Sequence, residues 1–247
     1  MPASVRLLGL DFADLDAEAA AAWLALRPAA AAFRYVVTPN ADHLVRLRRQ
    51  RELAALYADA LLRLLDSRVT AGAARMLGLP APRVAPGSDV AALLLRRHLR
   101  AGERVTIVGL RPQHLPALVR NVGIAQPAHY DPPVGFERDP VALRRTVAFV
   151  LAHPARFVFL AVGSPRQEIL AAAIQASGQA RGTGLCVGAA LDFLSGAVPR
   201  APVWMRHAGL EWLHRLASDP RRLARRYLLD SPAVFPLLLR ERLGRPG

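Results

Sequence analysis

Asp66 ends the apolar run LLRLL and is followed at once by Ser67 and Arg68, which leaves a carboxylate at a strand end beside a cation. A carboxylate so placed takes a proton from an acceptor hydroxyl when burial or neighbouring charge tunes its pKa. The same residues also suit an Asx turn or an Asp66–Arg68 pair. TPNADH, at 38–43, follows a strand and opens a helix, where backbone N–H groups and the helix dipole favour anions. Thr38 and Asn40 offer a hydroxyl and an amide there, although an Asn40 or Asp42 N-cap would account for the hexapeptide alone. VGSPRQE, at 162–168, reads as strand, tight turn and helix start, with Gln167 able both to donate and to accept and Glu168 well placed for a first turn. Near the C-terminus, Arg215, Arg222 and Arg225 share a similar helical face if the helix resumes in phase after Pro220. Guanidinium forks there could clamp a diphosphate and neutralise a leaving group without a metal.

Two considerations pull against each other over those arginines. The chain has no lysine among its 33 basic residues, so arginine is partly default usage and an arginine-rich helix is ordinarily a solvated face. Trp204, Trp212, Leu216, Leu223 and Tyr227 are nevertheless interleaved with them, as docking or interfacial contact requires.

Other chemistries find less support. Asp14-Leu15-Asp16 has the form of a metal-holding D-x-D, but it immediately precedes a helix-like run whose start acidic residues complement. The seven histidines show no metal spacing, and His43 and His153 read as surface or helix-end residues. There is no GxGxxG after an early strand and no GxxxxGK[ST], so neither a dinucleotide cofactor nor a P-loop is expected. No metal and no cofactor are assigned.

The elements that must position these residues alternate. Short apolar runs at 5–10, 35–38, 61–65, 105–108, 157–162 and 185–187 read as buried strands separated by amphipathic helices. That pattern predicts an α/β fold with a Rossmann-like, mostly parallel sheet and helices on both faces, its ligands at the carboxyl edge. After Gly196 the alternation stops, and helices separated by Pro199, Pro202, Pro220, Pro232 and Pro236 follow. The expected division is a catalytic α/β domain over 1–196 and a basic helical C-terminal appendage over 197–247.

A length of 247 residues with 53% hydrophobic content suffices for one such domain and a small appendage. The net charge of +14 points to anionic partners: phosphates, nucleic acid or an acidic membrane face. Cys186 is the only cysteine, consistent with a reducing compartment and a buried thiol. MPASVRLLGLDF has no signal-peptide pattern and no apolar run spans a bilayer, so any membrane contact is expected to be peripheral.

In order along the chain, TPNADH, LLDSRVTAGAARMLGLP, PPVGF, VGSPRQE, VGAALDFLSG, RAPVWMRHAGLEWLHRL and DPRRLARRYL resemble the WecG/TagA/CpsF family of bacterial glycosyltransferases. The resemblance covers nearly the whole chain. It departs at Ser67, where glycine is usual, at an additional residue between Arg83 and Gly87, and at Val134 in PPVGF. It implies inverting, metal-independent transfer from a UDP-sugar to a polyprenyl-diphosphate-linked saccharide at the cytoplasmic face of the bacterial membrane, with an anionic membrane surface as a further partner. It further implies Asp66 as catalytic base, Thr38 and Asn40 as neighbouring pocket residues and Gln167 as a sugar contact. Arg215, Arg222 and Arg225 are implied as diphosphate ligands and Arg83 as another pocket arginine. Asp192 matches a family position and reads as a turn or packing carboxylate. A nucleic-acid-binding protein and a Rossmann-type oxidoreductase or methyltransferase are the rival readings. The first lacks a recognised motif, the second its glycine fingerprint. No nucleic-acid partner is expected; a homo-oligomer is left open.

Overall fold

The computed structural model describes residues 1–125 and 127–244, less the side chains of His207 and Arg222. Strands β1 (Ser4–Leu7) and β2 (Leu10–Ala13) pair antiparallel, with Ser4 opposite Ala13. Their two-residue turn places Leu8 at φ +48° and Gly9 at φ +77°, the paired left-handed conformations that match strand twist in a tight hairpin. The apolar run at 5–10 therefore belongs to a separate hairpin and not to the parallel sheet. Its Leu7 and Phe12 alternate inward as period two demands, but they pack on helices instead of between strands.

Six strands build the main sheet: β3 (Arg34–Val37), β4 (Leu62–Arg63), β5 (Thr106–Gly109), β6 (Ala128–Tyr130), β7 (Phe157–Ala161) and β8 (Thr183–Cys186). All pairings are parallel and the order is β4-β3-β8-β7-β5-β6. The edge strand β6 is not legible in the sequence, because its three residues are only half-buried and carry no apolar run. Along the central strands the side chains alternate between two cores. Val36, Ile107, Phe159 and Leu185 face one, packed by helices Ala17–Ala25, Gly87–Leu93, Leu115–Val122 and Ala190–Ser195. Val37, Val108, Leu160 and Cys186 face the other, covered by helices Pro140–Ala152 and Arg166–Ala176. Burial on both faces is what makes these strands read as continuous apolar runs.

After β3 the chain steps outward to β4, returns across the sheet to β5 and β6, and fills the middle with β7 and β8. The carboxyl ends of β3, β4, β7 and β8 thus open onto one crevice where the winding reverses, the usual ligand position of such sheets.

Beyond Gly196 the chain forms helices Val203–His207, Glu211–Ser218 and Pro220–Ala224, a π-helical turn over Arg225–Asp230 and a last helix Val234–Arg242. Pro220 and Pro236 both stand in first turns, where no intrahelical N–H is lost. The last helix buries Val234 and Leu238 in a third apolar cluster with Leu7, Phe12, Leu44 and Leu65. The Leu8 N–H also donates to Glu241 Oε2 at 2.7 Å, so the tail's end is fastened to the N-terminal hairpin. No helix among the described residues is long and apolar enough to cross a membrane.

Candidate active site

The sheet's carboxyl edge and the helical tail enclose a cleft of about 590 Å³ lined by Thr38, Asn40, His43, Asp66, Gln167, Arg206, Glu211, Trp212, Arg215, Arg226 and Tyr227 among others. Asp66 stands just past β4. Its N–H donates to the Pro39 carbonyl at 3.0 Å, which holds it alongside the TPN segment. Its Oδ2 accepts the Gly87 N–H at 3.2 Å. Glycine is required there, since a Cβ on residue 87 would lie 2.7 Å from Thr38 Oγ1.

Burial is the main cause that pushes the Asp66 carboxyl up to about 7. The Gly87 N–H and Arg215 oppose the rise, while the Glu211 and Asp89 carboxylates add to it. A carboxyl poised near neutrality both ionises at working pH and holds an abstracted proton, which is what general-base chemistry needs.

Thr38 is buried and its hydroxyl donates to the Cys186 carbonyl at 3.2 Å, tying the end of β3 to that of β8. Asn40 caps helix Ala41–Arg49, its Oδ1 accepting the His43 N–H at 3.3 Å. The same oxygen lies 3.5 Å from Arg226 Nη2, so capping and cleft contact coexist. Gln167 is held on two sides: its Oε1 accepts the Gly188 N–H at 2.8 Å and its Nε2 donates to Glu168 Oε1 at 3.0 Å.

The tail supplies the facing wall. Arg215 lines the cleft and lies over the Phe193 ring at 5.4 Å. Arg225 does not reach this wall: its side chain is 85% exposed, 3.8 Å from Asp230. Its neighbour Arg226 takes that place, half-buried, with Nε 3.4 Å from Asp42 Oδ2. In an ideal helix a step of eleven residues from 215 returns closer to the same face than a step of ten, since each residue turns about 100°. Arg222's side chain lies outside the described residues. Arg83 also stands apart from the main cleft. It borders an adjoining notch, with Nη1 3.6 Å from Asp16 Oδ2 and its N–H donating to Asp14 Oδ1 at 2.9 Å. Asp16 at the same time caps helix Ala17–Ala25 through the Ala19 N–H at 2.9 Å.

Sequence reasoning singled out neither Arg206 nor Glu211, and gave His43 no part in the cleft. Arg206 binds Asp89 at 3.5 Å, and Asp89 also holds Arg200 at 2.7 Å, which fastens the start of the tail to the helix that carries Gly87. Glu211 brings a carboxylate into the cleft from the tail's side. His43 stands at a helix end, in the first turn of Ala41–Arg49, and is buried there instead of exposed; burial, followed by Arg46 and Arg226, holds its pKa well below the usual value. It is thus a neutral ring whose Nδ1 faces Tyr57 Oη at 3.4 Å. The signal was present: His43 precedes the buried Leu44 and Leu47 on a strongly amphipathic helix. His153 is at a helix end as expected, its Nδ1 2.8 Å from the Phe149 carbonyl. Asp192 lies 3.5 Å from His114 Nδ1, consistent with a packing role.

The cleft therefore joins a raised-pKa carboxylate, a hydrogen-bonding floor and a wall of guanidinium groups, a combination suited to displacing an anionic leaving group by a hydroxyl. The family model described as the Glycosyl transferase WecG/TagA/CpsF family matches residues 5–247.

Proposed function

Because the chain belongs to the WecG/TagA/CpsF family and is a glycosyltransferase, we propose that it moves a sugar from a UDP-sugar to a polyprenyl-diphosphate-linked saccharide with inversion. The observation that carries the reading is the placement of Asp66 in one cleft with Arg215 and Arg226. An Asp66 oxygen takes the proton of the acceptor hydroxyl. The freed oxygen pair attacks the anomeric carbon from the face opposite UDP, and the bond to the diphosphate oxygen breaks with its electrons leaving on UDP. In-line displacement of this kind inverts the anomeric centre. Arg215 and Arg226 neutralise the departing diphosphate, the task a metal performs elsewhere, so transfer proceeds in chelator. Thr38, Asn40 and Gln167 line the floor against the donor, and His43 offers a neutral ring beside them.

Catalysis and appendage divide the chain near Gly196, with the tail completing the site over the nucleotide and excluding water that would hydrolyse the donor. Leu228 and Leu229 are 57% and 69% exposed on the tail among arginines, which suits an acidic membrane surface on the cytoplasmic side. Cosedimentation with anionic vesicles that survives Leu228→Ser/Leu229→Ser would remove that contact.

The deciding assay offers a panel of UDP-sugars with a short-chain prenyl-diphosphoryl saccharide in EDTA. Transfer with inverted anomeric product is expected from the native protein and not from Asp66→Asn. Undiminished transfer by Asp66→Asn, or an absolute need for added divalent cation, would overturn the proposal.

A further inference from the structure

Both substrates of the reaction proposed above carry a diphosphate. Two such anions held in one site at once cannot share the same guanidinium groups, because each must have its charge neutralised where it lies. The tail arginines answer for one of them. Past Ser67 the cleft continues into a notch of about 500 Å³ that also bears guanidinium groups, those of Arg68, Arg75 and Arg83. Arg68, Val69, Val84 and Gly209 border both spaces, so notch and cleft form one continuous depression.

Arg68 and Arg75 belong to helix Arg68–Met76. Seven residues make two helical turns, which puts both on one face. Neither side chain makes a hydrogen bond or ion pair with another described residue. Among described residues the Arg83 guanidinium has only the 3.6 Å contact with Asp16, where both side chains are more than half exposed and the pairing is correspondingly weak. Asp16 is moreover engaged as a helix cap. Three cations thus face one carboxylate, with most of their N–H donors unused. The notch begins two residues beyond the base, so a saccharide presenting its hydroxyl to Asp66 has its own diphosphate within reach of Arg68. Val203 and Trp204, 58% and 65% exposed, lie on the short helix leading to Ala208 and Gly209 of the notch wall and offer apolar surface near a lipid-borne headgroup.

We infer that Arg68, Arg75 and Arg83 form the acceptor's diphosphate subsite, separate from the tail arginines that receive the donor's diphosphate. This rests on the transferase reading and adds to it where each anion sits. It assigns Arg83 to the acceptor and gives Arg68 and Arg75 a role.

Titration calorimetry on the full chain tests it with UDP, farnesyl diphosphate and inorganic pyrophosphate as probes. Protein saturated with UDP should still bind farnesyl diphosphate with unchanged affinity. Arg68→Gln/Arg75→Gln should weaken farnesyl diphosphate and pyrophosphate by about tenfold or more while UDP changes by less than about twofold, and Arg215→Ala should do the reverse. Pyrophosphate lost with the double variant but farnesyl diphosphate retained would overturn the inference, as would competition between UDP and farnesyl diphosphate. If UDP binds and needs Arg215 in those cases, the transferase reading survives. If the native protein binds no UDP, that reading falls and the subsite falls with it.

Discussion

Gln167 gives an N–H to the fully buried carboxylate of Glu168 at 3.0 Å while its own carbonyl oxygen takes the Gly188 N–H at 2.8 Å. A carboxylate only accepts and a backbone N–H only donates, so these two neighbours fix which way the Gln167 amide points. One Nε2–H remains for a ligand in the cleft. Gln167→Glu sets two carboxylates side by side in a buried place and should cost on the order of 3 kcal/mol. The exchanged pair, Gln167→Glu/Glu168→Gln, restores the hydrogen bonds but leaves no donor toward the cleft. Its melting temperature should return toward the native value while UDP-sugar turnover stays reduced by about ten- to hundredfold. Full recovery of turnover would show that the donor is not used.

Asp66 sets the acid limb of activity and also weighs on stability. With its carboxyl at about 7, kcat/KM for transfer should rise with pH through that value and level off above it. The group binds its proton more tightly folded than unfolded, so ionising it destabilises the fold: stability falls as pH rises from about 4 toward 7, and the penalty persists above. Asp66→Asn keeps an acceptor for the Gly87 N–H and removes the penalty. It should therefore abolish transfer yet melt higher than the native protein at pH 8, by about 2–4 °C for each kcal/mol recovered. The gain should vanish below about pH 3, where the native carboxyl is protonated in folded and unfolded chains alike. A melting temperature unchanged at pH 8 would mean the carboxyl is not raised.

The two adjacent arginines of the π-helical turn should separate cleanly. Arg226→Gln removes a guanidinium set between Asp42 and Asn40 in the cleft and should weaken UDP affinity by about tenfold. Arg225→Gln alters a side chain that is 85% exposed and should change UDP affinity and stability little, within about 0.5 kcal/mol. Equal losses from both would place the diphosphate elsewhere along the tail.

What the amino-acid order determined was the sheet and its edge. Val36, Ile107, Phe159 and Leu185 on one strand face and Val37, Val108, Leu160 and Cys186 on the other are apolar because helices cover both, and that local pattern survives without knowledge of the partners. Residues directly following such strands, Thr38, Asn40, Asp66 and Gln167, accordingly meet in one cleft. Periodicity carries no information about distant contacts, and there the tertiary structure decided. Whether the run at 5–10 enters the sheet depended on the left-handed pair Leu8–Gly9, which turns it into a hairpin. Whether Arg225 or Arg226 faces the cleft depended on the phase of a helix restarted at Pro220 and widened over 225–230. The raised proton affinity of Asp66 depended on burial beside Gly87 and on Glu211 arriving from a tail more than a hundred residues away, because desolvation and charge act through space and leave no spacing to read.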